Sequence, residues 1–558
     1  MHEKPTLKGP KKFLFWGIVL IIPFCFVAAI EGVARFFIAI PVGDDPFLNI
    51  GAIPSFFDTT RINGKPHYRV VHSTAYRSRN IVFPVEKDKN TLRIFCLGGS
   101  ASAGWPHPKS EIYSAYLEQA LQAAYPDRDI EVVNISAHAY ASYRIKMIFE
   151  NVIEYDPDLI VIYSGNNEFL ERRTYLKHRV QVAQAEHLAN HSVAFRYAQF
   201  WYQKKLFPES SLSGLGRERI QYEMWSKVAK VTLTLRKDPE QFEYLKRHYH
   251  YNIEQIVKKS NHRGVPVVLV TVPTNVHDWY PNVSYHRLSG EDFAVWQTYF
   301  DQGQREILQN NPNKAIEALQ KAIEMEPLHA ESYFYLARAY EINNEPDHAL
   351  KYYYQAKDLD YNPFRAISAF NRSLHDIATS HPHAYLADAD QSMVAVSFPV
   401  APGFDLFLDY VHPTKKGNLV IAETVFDTIL DHRIFGEPSG ATQFVYEPEP
   451  LEDGKLYDEH TDYVLQETIL WLFGMMHQYE GMASLSLKYT GPDHPEIEFI
   501  TRVKNVFPDY VELRKKKILG ENIKAEEEQK IRDQVIHFYG NKANEYPRLS
   551  QETVDKIF

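Results

Sequence analysis

Four short apolar runs, largely β-branched, punctuate the chain: LRIFCLGG (Leu92 to Gly99), IEVVNI (Ile130 to Ile135), LIVIYSG (Leu159 to Gly165) and VPVVLVTVP (Val265 to Pro273). With no polar alternation, runs of this kind predict strands buried on both faces of a parallel sheet. Between the first two, Tyr113, Leu117, Ala120, Leu121 and Ala124 recur at helical spacing, and Ile148, Val152 and Ile153 do so before the third. Strand and helix in alternation predict a three-layer α/β domain with right-handed connections. The polar stretch from 42 to 89, with a turn signal at Ile62-Asn63-Gly64, reads as an irregular linker leading into that domain.

At the other end of the hydropathy scale, Phe13 to Ile30 runs 18 residues without a charge, the threshold length for a helix crossing a bilayer. Lys4, Lys8, Lys11 and Lys12 precede it against Glu3 alone, so residues 1–12 are expected to be cytoplasmic, 13–33 to form a transmembrane anchor, and the rest to lie outside, in the periplasm or extracellular space. A cleaved signal peptide is the alternative, with Val27-Ala28-Ala29 as a weak cleavage context, and the length of the run favours the anchor.

Composition narrows the class. The 558 residues are 45% hydrophobic, 24% charged and 14% aromatic, enough for several cored units, and the net charge of -10 argues against nucleic-acid binding. Two cysteines, Cys25 and Cys96, cannot make a disulfide framework or a four-thiolate zinc site. Among 24 histidines there is no HExxH or comparable ligand pair, so neither metal nor cofactor is expected.

In parallel sheets the chemistry gathers at the carboxyl ends of the strands. The first run ends in GGSASAG, where Gly98 and Gly99 allow a tight turn before Ser100. Taken alone, Ser100 reads first as a helix N-cap and second as a nucleophile. The second run ends in NISAHAYAS and the third in SGNNEF; a lone Asn-Asn pair is ordinarily a turn. Further on, DYVHP places Asp409 three residues before His412, ahead of a helix with Leu419, Ala422, Phe426, Ile429 and Leu430 on one face. That spacing can set a carboxylate against an imidazole and fix its tautomer.

The order of these blocks resembles the SGNH (GDSL-type) hydrolase superfamily, built on GDSxxxG, a second block with an oxyanion glycine, GxND and DxxH. The resemblance implies Ser100 as nucleophile, His412 as general base and Asp409 as its orienting acid. It also implies the backbone N–H groups of Ser100 and Ala139 and the Asn167 amide as oxyanion donors. Asn134 matches in the second block and Gly104 in the first. The chain departs from the pattern at Gly99 (for Asp), Ala139 (for Gly) and Glu168 (for Asp), which bears on substrate shape. His138 and Glu168 are candidate substrate contacts; a solvated loop histidine is the competing reading of His138.

About 240 residues separate Glu168 from Asp409, too many for an ordinary connection. Segments starting at Trp296 and Ala330 align at an offset of 34 residues, pairing Tyr299 with Tyr333, Gly303 with Ala337, Ala315 with Ala349, Leu319 with Tyr353 and Ala322 with Ala356. They resemble tetratricopeptide repeats. Two repeats need support, expected from the helix at 364–378. The aromatic-rich stretch 187–259, including Tyr202, Phe207, Trp225, Phe242 and Tyr244, reads as helical with its rings packed inward. Tyr463 to Met475 suits a packed helix, and the charge runs Arg514 to Lys517 and Glu526 to Glu528 read as a solvated face.

The fold expected is therefore an α/β, three-layer SGNH-like parallel-sheet domain (90–275 and 364–433, with the helical insert 187–259). It carries an all-α tetratricopeptide-like insertion (290–362), an N-terminal transmembrane helix and a helical C-terminal extension (440–558). The expected activity is cleavage or transfer of O-acyl, above all O-acetyl, esters on extracytoplasmic carbohydrate through an acyl-serine. The expected partners are an acylated glycan, the membrane through the N-terminal helix, and a protein on the repeats. A catalytically inactive scaffold and a lipid-directed esterase are the rivals.

Overall fold

The computed structural model describes residues 21–22, 25–35, 57–70, 81–169, 192–195, 237–447, 478, 480–481, 483 and 498–540. They fall into two units, the smaller comprising the described residues up to Phe57 together with 192–195. In the smaller unit residues 25–35 are helical, and Glu31 accepts hydrogen bonds from Ser192 Oγ (2.7 Å) and from the N–H groups of Val193 (2.8 Å) and Ala194 (3.2 Å). Ile22, Phe26, Val27, Ile30 and Val33 are exposed. Among the described residues no helix is long and apolar enough to cross a membrane, and more than half of the Phe13–Ile30 run lies outside them.

The larger unit opens at Asp58, within β1 (Phe57–Ile62), which with β2 (Lys65–Val70) and β3 (Val82–Pro84) forms a three-stranded sheet in the stretch expected to be irregular. Asn63 and Gly64 both have positive φ (49° and 79°), the requirement of a two-residue type I′ hairpin turn. The Asn-Gly signal thus marks a hairpin. Phe83 on β3 packs edge-on against Phe95, with ring centroids 5.4 Å apart, and fastens this small sheet to the main one.

The main sheet has five parallel strands, β4 (Thr91–Gly98), β5 (Asp129–Asn134), β6 (Leu159–Tyr163), β7 (Val267–Val270) and β8 (Ala384–Ala387), in the order β5-β4-β6-β7-β8. Every residue of β4, β6 and β7 is buried, which is why these runs carry no polar alternation. The helices are α1 (Ser100–Ala103), α2 (Tyr113–Ala124), α3 (Ser142–Val152) and α4 (Pro239–His262), followed by the repeat helices α5 (Gly290–Leu308), α6 (Pro312–Met325), α7 (Ala330–Ile342) and α8 (Pro346–Leu359). After them come α9 (Ser368–Ser380), α10 (Ala389–Ser397), α11 (Lys415–Asp431), α12 (Glu498–Leu519) and α13 (Ala525–Gly540). Helices α2, α10 and α11 pack as one group, and α3, α4 and α9 as another. Tyr202, Phe207 and Trp225 lie outside the described residues, whereas Phe242 is buried on α4.

The insertion leaves the sheet after β7 and returns to β8 as two helical hairpins. Gly303 lets α5 approach α6 so closely that a Cβ there would lie 2.4 Å from Leu319 Cγ. Alanines 315, 322, 337, 349 and 356 are likewise buried in the seams between repeat helices. Helix α9 packs on α4 and β8 within the α/β layers, and the start of its segment meets the repeats, where Ser368 N–H donates to Asp358 Oδ1 at 2.8 Å and Lys357 Nζ donates to Ala366 O at 3.0 Å. The C-terminal region adds a further support: α12 lies against α5, with Arg305 Nε donating to Ile518 O at 3.2 Å. The two charge runs face each other across the α12–α13 hairpin, where Lys516 pairs with Glu527 (2.9 Å) and Lys517 with Glu528 (2.6 Å). Tyr463 to Met475 lies outside the described residues.

One histidine of the repeats is tied to its neutral form. His329 caps α7, its Nδ1 accepting from Ser332 N–H at 3.2 Å, and its ring is packed against His286, Trp296 and Phe300. Burial, with the His286 ring beside it, pulls its pKa down to about 3. The unfolded chain therefore binds a proton below pH ~6.5 that the folded chain refuses, and stability falls as pH drops, by about 1.4 kcal/mol per unit. His329→Asn keeps a capping acceptor without titrating. Its stability is expected to fall less steeply than that of the wild type between pH 6.5 and 4, as measured by denaturant unfolding.

Candidate active site

The site is assembled where strands end. Strand β4 runs into Gly98 and Gly99, and both positions exclude a side chain: a Cβ at 98 would lie 2.1 Å from Tyr163 O, and one at 99 would lie 2.1 Å from Asn167 Nδ2. Gly99 takes the N-cap position and Ser100 is the first helical residue of α1, so the serine is not itself the cap. The turn is pinned from below. Ser102 Oγ lies 2.7 Å from Ser136 Oγ and 3.0 Å from Tyr113 OH, while Asn134 Nδ2 donates to Ser102 O at 2.8 Å. Cys96, inside β4, is fully buried and its thiol is pushed up to about 12 by burial, so it stays protonated and takes no part as a nucleophile.

From the far end of the chain comes the partner of Ser100. His412 Nε2 lies 2.8 Å from Ser100 Oγ, and His412 Nδ1 lies 2.5 Å from Asp409 Oδ2. Asp409 is wholly buried, and its other oxygen accepts the N–H groups of Val411 and His412, each at 2.8 Å. A carboxylate held at both oxygens cannot rotate, so it fixes the imidazole with Nε2 toward the serine. The loop is closed by Leu408 N–H donating to His412 O at 2.8 Å, and Asn275, beyond β7, donates through Nδ2 to Asp409 O at 3.0 Å.

Asn167 follows β6. Its Nδ2 donates to Tyr140 O at 3.1 Å, while neighbouring Asn166 accepts Ala366 N–H at 2.9 Å, which fixes the loop from the other side. Ala139, after β5, has φ 59°. This left-handed backbone costs a residue with a Cβ roughly 1–2 kcal/mol and costs glycine nothing.

Two expected contacts divide. His138 is half-buried, its ring 5.9 Å from that of Trp105. Glu168 is corrected: 3% exposed, it accepts Ser142 N–H at 2.6 Å and Ser142 Oγ at 2.9 Å, and so caps α3 instead of facing a substrate. Sequence reasoning passed over Trp105, whose ring stands edge-on to His412 with centroids 4.6 Å apart. Its signal was its place immediately after the GGSASAG turn.

A tetratricopeptide-repeat profile matches residues 318–351. By sequence, no curated protein matches the chain. Among solved structures it is similar to an acetylxylan esterase from Geobacillus stearothermophilus, at 14% identity over 61% of this chain and 96% of that one, TM-score 0.28. It is also similar to a GDSL-like lipase from Bacteroides thetaiotaomicron, at 12% identity over 63% and 92%, TM-score 0.26. An SGNH-hydrolase family esterase is similar at 14% identity over 34% and 62%, TM-score 0.18.

Gly99→Ala, and equally Gly99→Asp, is expected to push Asn167 away from Tyr140 O, and a crystal structure of the variant would register the loss of that 3.1 Å contact.

Proposed function

We propose that the chain is a serine esterase of SGNH type. The observation that carries this reading is the continuous hydrogen-bonded relay from Asp409 through His412 to Ser100. Ser100 Oγ attacks the ester carbonyl while His412 Nε2 takes its proton, and the imidazolium is stabilised by Asp409. The negative charge passes to the carbonyl oxygen, which the N–H groups of Ser100 and Ala139 and the Asn167 amide stabilise. Collapse of the tetrahedral intermediate breaks the ester C–O bond, and His412 returns the proton to the departing alkoxide. A second acceptor, water in a hydrolase or a sugar hydroxyl in a transferase, then loses its proton to His412 and attacks the acyl-serine carbonyl; the bond to Ser100 Oγ breaks, and His412 returns the proton to the serine.

The acyl group assigned is acetyl and the alcohol a glycan hydroxyl. Trp105 supports this alcohol: it stands beside His412, where the departing oxygen must receive its proton, and an indole face suits a sugar ring. We assign the active domain to the extracytoplasmic side of a membrane. The support is the uncharged run Phe13 to Ile30, the lysines before it, and the exposed apolar side chains from Ile22 to Val33. The repeat profile over 318–351 supports a protein partner as well.

Ser100→Ala is expected to lose ester turnover and fluorophosphonate labelling with its melting temperature little changed. Undiminished hydrolysis of 4-nitrophenyl acetate by that variant would sink the mechanism. A panel of acetylated oligosaccharides against long-chain esters separates a glycan deacetylase from a lipid-directed enzyme.

A further inference from the structure

Between β7 and the first repeat helix, residues 275–278 form a short bridge that touches the catalytic loop on one side and the repeats on the other. Toward the catalytic loop, Asn275 N–H donates to Tyr410 O (3.1 Å) and Asn275 Nδ2 to Asp409 O (3.0 Å). The N–H groups of Val276 and His277 both donate to Pro402 O, at 3.0 and 3.1 Å. Asp278 Oδ2 accepts Phe404 N–H at 2.8 Å, and the turn is drawn in so tightly that a Cβ at Gly403 would lie 2.3 Å from that oxygen. From this turn the chain runs straight to the Phe407–Pro413 bridge and to His412.

Toward the repeats, the same bridge is gripped by α7 and α8. Arg338 Nη2 donates to His277 O at 3.0 Å, and its Nη1 lies 2.8 Å from His277 Nε2. Glu341 Oε1 lies 3.0 Å from His277 Nε2, and Tyr353 OH donates to Glu341 Oε2 at 2.6 Å. His277 Nδ1 lies 2.7 Å from Asp278 Oδ1, and Arg338 approaches that carboxylate to 3.7 Å. Burial would raise the Asp278 carboxyl, but the contacts with His277, Phe404 N–H and Arg338 outweigh it and hold the group down to about 2. It is an anion throughout the working range of an esterase.

We infer that Arg338, on the repeat insert, is a positioning residue for the Asp409–His412 loop, acting through His277, Asp278 and Asn275. The role rests on the serine-esterase reading and goes beyond it: the insert sets the geometry of the base that the relay uses. The apolar core of the insert already reaches the bridge at Val276 and the loop at Ala401, and such contact holds elements together without fixing an orientation. Hydrogen bonds add direction: Arg338 to His277, His277 to Asp278, Asp278 N–H to Asn275 Oδ1 at 2.9 Å, and Asn275 to the backbone of Asp409 itself. A shift of α7 therefore moves His412 relative to Ser100, and misplacement of a catalytic group by about 1 Å costs on the order of a hundredfold in rate.

The test compares two variants of the full chain. Arg338→Met removes the charge and both donors while keeping the stem, and Leu319→Ala opens the repeat core at the α5–α6 seam without touching the bridge. Two readouts are taken: kcat and KM on 4-nitrophenyl acetate, and the downfield proton resonance of the His412–Asp409 hydrogen bond, assigned by its disappearance in Asp409→Asn. Arg338→Met is expected to lower kcat by about tenfold or more, with KM within about twofold. It should also broaden or shift the resonance, and Arg338→Lys, which keeps one donor, should recover part of both. Leu319→Ala should lower the melting temperature and leave kcat and the resonance of the folded protein as they are. The inference is overturned if Arg338→Met keeps the wild-type resonance and kcat, or if Leu319→Ala reproduces its losses. If the wild-type chain hydrolyses no ester, the serine-esterase reading fails, and the resonance alone decides the role of Arg338.

Discussion

Parallel pairing is the constraint on which the site depends. Because the five strands all point the same way, their carboxyl ends meet at one edge, and the segments that leave them are forced into proximity however far apart they lie in the chain. Ser100 leaves β4, Ala139 follows β5, Asn167 follows β6 and Asn275 follows β7; Asp409 and His412 arrive after β8 and α10. No one of these segments is catalytic by itself. The sheet supplies the register that brings these five segments to one place.

Three positions where the chain differs from the motifs it resembles are fixed by packing within that register. At Gly99 the space a Cβ would occupy is filled by the Asn167 amide. Ala139 holds a left-handed backbone at a cost in strain. Glu168 is buried and secures α3 through Ser142.

Much of this was legible in the sequence, because burial on both faces writes itself as an unbroken apolar run. The strands of residues 91–98, 129–134, 159–163 and 267–270 follow the four runs to within a few residues. Strand β8 was not legible: Ala384–Ala387 is AYLA, four residues at the sheet edge with two only partly buried, and it makes no run of its own. The hairpin of β1 and β2 was hidden by its polarity, since its side chains are mostly exposed, although its Asn-Gly turn was in plain view. The motif spacing brought out Ser100, Asp409 and His412. It could not bring out Asn275 or the Arg338 contacts, because these depend on packing between segments whose separation in sequence carries no periodicity. The support of the repeats by α12 is of the same kind.

Ser100 and His412 are 312 residues apart, with the repeat insert between them. A chain made from its N-terminus acquires Ser100, Ala139, Asn167 and four of the five strands of the sheet long before it acquires His412. Ser100 thus emerges without its histidine partner. It gains that partner when the insert has been synthesised and when β8 has closed the edge of the sheet from which the histidine loop departs. The order of assembly acts as a delay, so that a chain interrupted anywhere before Asp409 carries Ser100 without the Asp409–His412 pair that the full chain sets against it. Contacts this remote also make closure of the site a slow and late event of folding.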